Sequence, residues 1–184
     1  MQPIKLIVTI NKSQADIIIE RLKLKLVNWK NNIYKWKNIN DWDFDLVLVL
    51  LLDIKDLNNI LEEYLPEKIL NIWLANSKGH VDIKDGDVTL PNSFISTENK
   101  TPIFLEYAIW ESYDLKKFWL ILSWLCITWD LIEAADINDE DSFDVLTILN
   151  SNNLLEKTVV IKAINTNNDK CLISNSVDVL ELVL

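Results

Sequence analysis

Val47 to Leu52 is an unbroken apolar run, and just before it Asp41, Asp43 and Asp45 alternate with Trp42, Phe44 and Leu46. A strand alternates polar and apolar residues where one face is wet, and is apolar throughout where both faces are covered. The segment therefore reads as a strand that enters at a solvated edge and runs into the buried centre of a sheet. Such a strand requires a sizeable core around it, and its neighbours in the sequence supply the elements.

Ile4 to Ile10 is short and β-branched, the mark of a strand. Ser13, with Asp16 three residues later, resembles a helix start, and Ala15, Ile18, Ile19, Leu22, Leu26 and Trp29 recur at helical spacing. The spacing predicts a helix over 13–29, with a strand through Leu22, Leu24 and Leu26 as the alternative. Asp56 to Leu65 reads as a helix ended by Pro66, and Ile69 to Leu74 as a strand. Strand, helix, strand, helix, strand over the first 75 residues builds a parallel or mixed sheet with helices packed on it.

Further along, Asp85-Gly86 lies between Val81-Asp82-Ile83 and Val88-Thr89-Leu90, the pattern of a hairpin with a type I′ turn. A strand is expected over Ile103–Trp110. Residues 114–135 fit either a helix begun at Asp114 or a buried strand, with Trp119, Trp124 and Trp129 in the core in both cases. Thr158 to Ile164, Cys171 to Ile173 and Val177 to Leu184 read as strands, with a turn over Asn165–Asp169. The 184 residues are 49% hydrophobic, and no linker or repeat divides them. The expected fold is a single α+β domain, a mixed β-sheet with packed helices.

Composition removes several functions. Two glycines, Gly79 and Gly86, are too few for a phosphate-cradling loop, so nucleotide sites of the Rossmann and P-loop kinds are excluded. One histidine, His80, and two distant cysteines, Cys126 and Cys171, supply neither a zinc site nor a disulfide framework. Asp136-x-Asn138-x-Glu140 lacks the glycine and the final glutamate of an EF-hand loop. No cofactor and no metal are expected. No signal peptide opens the chain and the apolar run Phe118–Trp129 is too short to span a bilayer, so a cytoplasmic, microbial protein without membrane contact is expected.

The acid-x-Lys spacing of metal-dependent nucleases occurs at Asp53/Lys55 and Asp82/Lys84, and also at Glu98/Lys100 and Asp114/Lys116. In a chain this rich in acids and lysines, random placement yields nearly as many. His80 reads as a surface or structural residue and Cys126 as an inert buried thiol.

Charge is the stronger signal. Residues 1–37 carry a net +6 and residues 38–184 a net −16, giving −10 overall. Arg21 to Lys37 holds six bases and no acid, with Trp29, Tyr34 and Trp36 interleaved. Stacking on single-stranded nucleic acid is one reading of that segment. With a single arginine in the chain and −16 elsewhere, direct nucleic-acid binding is disfavoured.

The favoured function is a non-enzymatic acidic binding protein, an inhibitor of the immunity-protein kind, docked on a basic protein partner that itself acts on nucleic acid. Its partner-binding residues would be Trp36, Trp42, Asp41, Asp43, Asp45, Asp136, Asp139, Glu140, Asp141 and Asp144. No catalytic residue is assigned, and the sequence leaves the oligomeric state open. Two alternatives stand beside it: a metal-dependent hydrolase or nuclease using Asp43, Asp45, Asp53 or Asp82, and a structural or adaptor domain of a larger assembly.

Overall fold

The computed structural model describes residues 3–28, 32–35, 44–75, 86–90, 93–94, 103–105, 139–164 and 170–184. The elements in chain order are β1 (Ile4–Thr9), α1 (Lys12–Arg21), β2 (Lys25–Asn28), β3 (Ile33–Lys35), β4 (Asp45–Leu50), α2 (Asp56–Tyr64), β5 (Lys68–Ala75), β6 (Val88–Thr89), β7 (Ser93–Phe94), β8 (Ile103–Phe104), α3 (Asp139–Ser151), β9 (Thr158–Ile164) and α4 (Lys170–Val183). A 3-10 turn, Leu155–Lys157, leads into β9. Seven strands form one sheet in the order β2-β3-β4-β1-β5-β9-β6, and β7 pairs with β8 separately. The four central strands β4, β1, β5 and β9 are parallel, while β2, β3 and β6 pair antiparallel at the two edges. The mixed β-sheet with packed helices expected of an α+β chain is what the structure holds.

Burial explains the continuous apolar strands. Leu6, Ile7, Val8, Leu46 to Val49, Ile69, Leu70, Ile72, Val160 and Ile161 are all fully buried or nearly so. Ile7, Leu46, Leu48, Leu50, Leu70, Ile72 and Ile161 pack against α1 and α4 on one face. Leu6, Val8, Val47, Val49, Ile69, Trp73 and Val160 pack against α2 and α3 on the other. The strands are apolar on both sides because helices cover both sides. Arg21 ties α1 to α4 at the surface, with its guanidinium 2.5 Å from the Asp178 carboxylate and 3.8 Å from that of Glu181. The pair is solvent-exposed, and its contribution to stability is small.

Three sequence expectations are corrected here. The first helix starts with Asn11, not Ser13, as its cap: the Asn11 side chain accepts the Gln14 N–H at 3.0 Å. It also ends early, at Arg21, instead of running on to Trp29. Lys23 takes a left-handed conformation with φ 53°, and the Leu24 N–H returns to the Ile19 carbonyl at 3.0 Å. That closure frees Lys25 to Asn28 to pair with β3, as in the alternative strand reading. The tail from Lys170 to Val183 is a helix, not strands. Ser176, Val177, Val179, Leu180 and Val183 are buried while Asp178 and Glu181 are exposed, which is a helical stripe.

The second helix ends as expected. Leu65 adopts a left-handed φ of 45°, its N–H bonds to the Leu61 carbonyl at 3.0 Å, and Pro66 follows. Of the expected hairpin, Gly86 has φ 96° and Val88–Thr89 pairs with β9, while residues 81–85 lie outside the described residues. Residues 114–135, and with them Trp119, Trp124 and Trp129 that were expected in the core, lie outside them as well, as do His80, Cys126 and most of the strand expected over 103–110.

Candidate active site

The chain leaves β1 and enters α1 on one face of the sheet, whereas it leaves the neighbouring strand β4 and enters α2 on the opposite face. Where adjacent parallel strands send their helices to opposite faces, the two loops part and leave a crevice at the strands' carboxyl ends, the usual ligand site of open sheets of this kind. A crevice of about 530 Å³ lies there, lined by Ile10 and Asn11 after β1, Leu51 to Ile54 after β4, and Trp73 and Leu74 on β5. Its volume suits a small organic ligand.

Each wall has a local cause. Thr9, the last residue of β1, is fully buried, and its hydroxyl donates to Gln14 Oε1 at 3.2 Å and accepts the Asn11 N–H at 3.2 Å. These bonds turn the chain sharply from strand into helix and fix Asn11 at the rim. On the other wall the Leu51 N–H reaches the Thr9 carbonyl at 2.8 Å, keeping the two loops together at their base. Asp53 Oδ1 accepts the Lys55 N–H at 2.9 Å, and its carbonyl accepts the Asp56 N–H at 3.1 Å, a turn that launches α2. Asp53 is exposed, and it is the carboxylate among the described residues that line the crevice.

The floor is formed by β5. Trp73 is 2% exposed, and its indole N–H has no acceptor among the described residues. Two positions deeper on the same face, Asn71 is completely buried, and neither its amide oxygen nor its amide nitrogen is bonded among them. Asn71 is in register with Val8 of β1 and Val160 of β9, and Trp73 with Lys162, itself buried. On the α1 side the Gln14 amide nitrogen is likewise buried and unpaired among the described residues. Buried polar groups are nearly always paired, and of these three Trp73 also belongs to the lining of the crevice while Asn71 and Gln14 lie in the packed interior beside it.

Asp53, noted in the sequence beside Lys55, lines the crevice, and the other described residues singled out from sequence lie elsewhere. Asp45 is the exposed first residue of β4, at the end of that strand opposite the crevice. Asp139, Glu140, Asp141 and Asp144 belong to α3, with Asp144 exposed. Trp36, Asp41, Trp42, Asp43, Asp82 and Asp136 lie outside the described residues. Asp45 and Asp53 are separated by the whole length of β4, about 20 Å, so one metal ion cannot be shared between them. Asn11, Gln14, Asn71 and Trp73 were not marked by any sequence motif.

At the amino ends of the strands, Lys5 and Lys68 stand side by side in register on β1 and β5. They donate to the carbonyls of Leu184 and Val183, the latter at 2.6 Å, and so bind the end of α4. Burial lowers both amines from their ordinary pKa, and in Lys5 the neighbouring Lys68 charge adds to it. Lys5 also lies 3.6 Å from the centre of the Phe44 ring. This pair is structural and distant from the crevice.

No protein-family model matches the chain, and no curated protein matches it in sequence. Solved structures do match in fold. Futalosine hydrolase of Helicobacter pylori superposes with a TM-score of 0.67 at 10% identity, over 100% of this chain and 98% of that one. A putative 5′-methylthioadenosine/S-adenosylhomocysteine nucleosidase from Francisella philomiragia gives 0.64 at 14% identity, over 100% and 99%. The 5′-methylthioadenosine/S-adenosylhomocysteine nucleosidase of Campylobacter jejuni gives 0.62 at 11% identity, over 100% and 97%. At such identities the likeness is one of fold. It nevertheless corrects the reading as a non-enzymatic inhibitor or immunity protein, because the whole chain follows the architecture of hydrolases and nucleosidases. Among the described residues no helix is long and apolar enough to cross a membrane.

Proposed function

We propose that the chain is a nucleosidase, with the crevice at the carboxyl ends of β1, β4 and β5 as the site where a nucleoside binds and its N-glycosidic bond is hydrolysed. The observation that carries this reading is the position of the crevice, at the point where the helices after β1 and β4 diverge. The fold shared with futalosine hydrolase and the methylthioadenosine nucleosidases supports the choice of reaction.

In such a hydrolysis the bond from C1′ to the base breaks, and its electron pair leaves with the base, which takes up a proton. Water adds its oxygen to C1′ and releases the other proton. Positive charge develops on the sugar ring as the bond opens, and a carboxylate beside it lowers the barrier. Asp53, the carboxylate among the described lining residues, would take that role. Ile10, Leu51, Leu52 and Ile54 add apolar surface beside it, against which the ligand would lie.

The test is incubation of the purified protein with 5′-methylthioadenosine, S-adenosylhomocysteine and futalosine, with free base measured by chromatography. Base release that is lost in Asp53→Asn is expected. No release and no calorimetric binding of any of the three would overturn the proposal.

A further inference from the structure

Among the described residues that line the crevice, Asn11 and Asp53 bring polar side chains to it, since the Trp73 indole N–H is enclosed in the core. The remaining lining side chains are apolar. Asn11 and Asp53 sit on loops that leave neighbouring strands: Thr9 stands opposite Leu50 in the register of β1 and β4, and paired strands lie about 4.8 Å apart. The bond from the Leu51 N–H to the Thr9 carbonyl, 2.8 Å long, holds the two loops together at their base.

Each of these side chains is half committed to the fold. Asn11, as the cap of α1, accepts the Gln14 N–H with its amide oxygen at 3.0 Å. Only the oxygen can accept, so this bond fixes which way round the amide stands. The NH2 end has no bond among the described residues and, unlike the amide nitrogens of Gln14 and Asn71, is not shut away from solvent. Across the crevice, Asp53 is exposed and spends Oδ1 on the Lys55 N–H, and a carboxylate has room for further donors. The lining thus offers one group that can only donate and one that can only accept. A hydroxyl, which accepts and donates at a single atom, satisfies both.

In the nucleoside reading Asp53 stands beside C1′, and the hydroxyl nearest to C1′ is the one on C2′. We propose that Asn11 is a specificity-determining residue of this site: its amide NH2 donates to the 2′-hydroxyl of a ribonucleoside, which in turn donates to the Asp53 carboxylate, so that the site selects ribosides over 2′-deoxyribosides. The proposal rests on the nucleoside reading above and adds the class of sugar to it. Bonds to that hydroxyl strengthen as a glycosidic bond opens, so the same contact that selects the sugar also holds the carboxylate where charge develops.

Asn11→Asp separates the two roles of the side chain, because a carboxylate caps a helix as well as an amide does but cannot donate. Asn11→Gly, also tolerated at a cap, removes the side chain altogether. Calorimetry on the whole protein compares carbocyclic adenosine, which keeps its base because it lacks the ring oxygen that stabilises the cation, with its 2′-deoxy counterpart. The wild type should bind the first about tenfold more tightly, the usual effect of one hydrogen bond. In both variants the preference should fall to about one, with the melting temperature of Asn11→Asp unchanged. The measured quantity is a ratio, so an added charge or a packing change that weakens both ligands alike cancels. If the wild type binds the two compounds equally, or if the folded variants keep the tenfold preference, this inference is wrong and the nucleoside reading stands. If the wild type binds neither, both fall.

Discussion

Replacing Asn71 by leucine should stabilise the protein. Asn71 lies in the middle of β5, completely buried, between Val8 of β1 and Val160 of β9, on the face covered by α2 and α3. Its amide has lost its water and gained no bond among the described residues. An amide held in that condition costs about 1–3 kcal/mol. Leucine has the same branching at Cγ but bulkier methyl ends, so Asn71→Leu removes the cost and opens no cavity, while the added bulk offsets part of the gain. The expected net gain is about 1 kcal/mol, which for a chain of this length raises the melting temperature by roughly 2–4 °C. Urea unfolding should show a higher midpoint at unchanged slope, the sign that stability alone has changed. Asn71→Ala separates the two contributions, because it removes the amide but leaves a hole, and its net effect should be near zero or unfavourable. A loss of about 1 kcal/mol or more in both Asn71→Leu and the smaller, branched Asn71→Val would refute the reasoning, since a well-paired amide is missed whatever replaces it.

The other expectations concern the helix ends and one phenol. Lys23→Gly should stabilise by about 0.5–1 kcal/mol in the same urea assay, because Lys23 sits at φ 53° where a side chain is strained and glycine is not. Asn11→Ala should cost about 1 kcal/mol through loss of the bond to the Gln14 N–H. Burial, with a smaller effect from Glu63, pushes the Tyr64 phenol up to about 12, so phenolate absorbance should show one of the four tyrosines ionising far later than the ordinary value of 10.0. The sign for stability follows: between pH 10 and 12 the unfolded chain loses this proton and the folded chain keeps it, so stability falls as pH rises through that window. A Tyr64→Phe variant should lack this part of the alkaline loss.

Much of the sheet was legible because its strands carry their burial in the sequence. The run Val47 to Leu52 and the β-branched segments Ile4–Ile10 and Ile69–Leu74 became β4, β1 and β5 within a residue or two. The helix boundaries were less legible, and for a particular reason. The periodic apolar set from Ala15 to Trp29 is continuous across the end of α1, since Leu22 and Leu24 are buried both by the last turn and by the bend after it. Only the backbone reversal at Lys23, at a residue with no preference for that conformation, divides helix from strand. In α4 the composition misled: Ile173, Val177, Val179 and Val183 are β-branched, yet burial at 176, 179, 180 and 183 follows the helix period. Once a sheet face is available to cover, packing decides over intrinsic preference.

The site was legible only in fragments, because what makes it a site is strand order, and a sequence does not contain strand order. Asp53 was noticed for its distance from Lys55, a spacing that suggested metal chemistry. In the structure the same spacing is a local turn, the Asp53 carboxylate accepting the Lys55 N–H at the start of α2. The acidic ladder drew attention to Asp45, which begins β4, whereas ligands of parallel sheets gather where strands end. Knowing that β1 lies between β4 and β5 changes the weight of four uncharged residues, Asn11, Gln14, Asn71 and Trp73. Separately each is an ordinary cap, helix residue or core residue. In the fold Asn11 and Trp73 line the crevice, and Gln14, Asn71 and Trp73 hold hydrogen-bonding groups that the described core does not use, none of which a charge pattern could have shown.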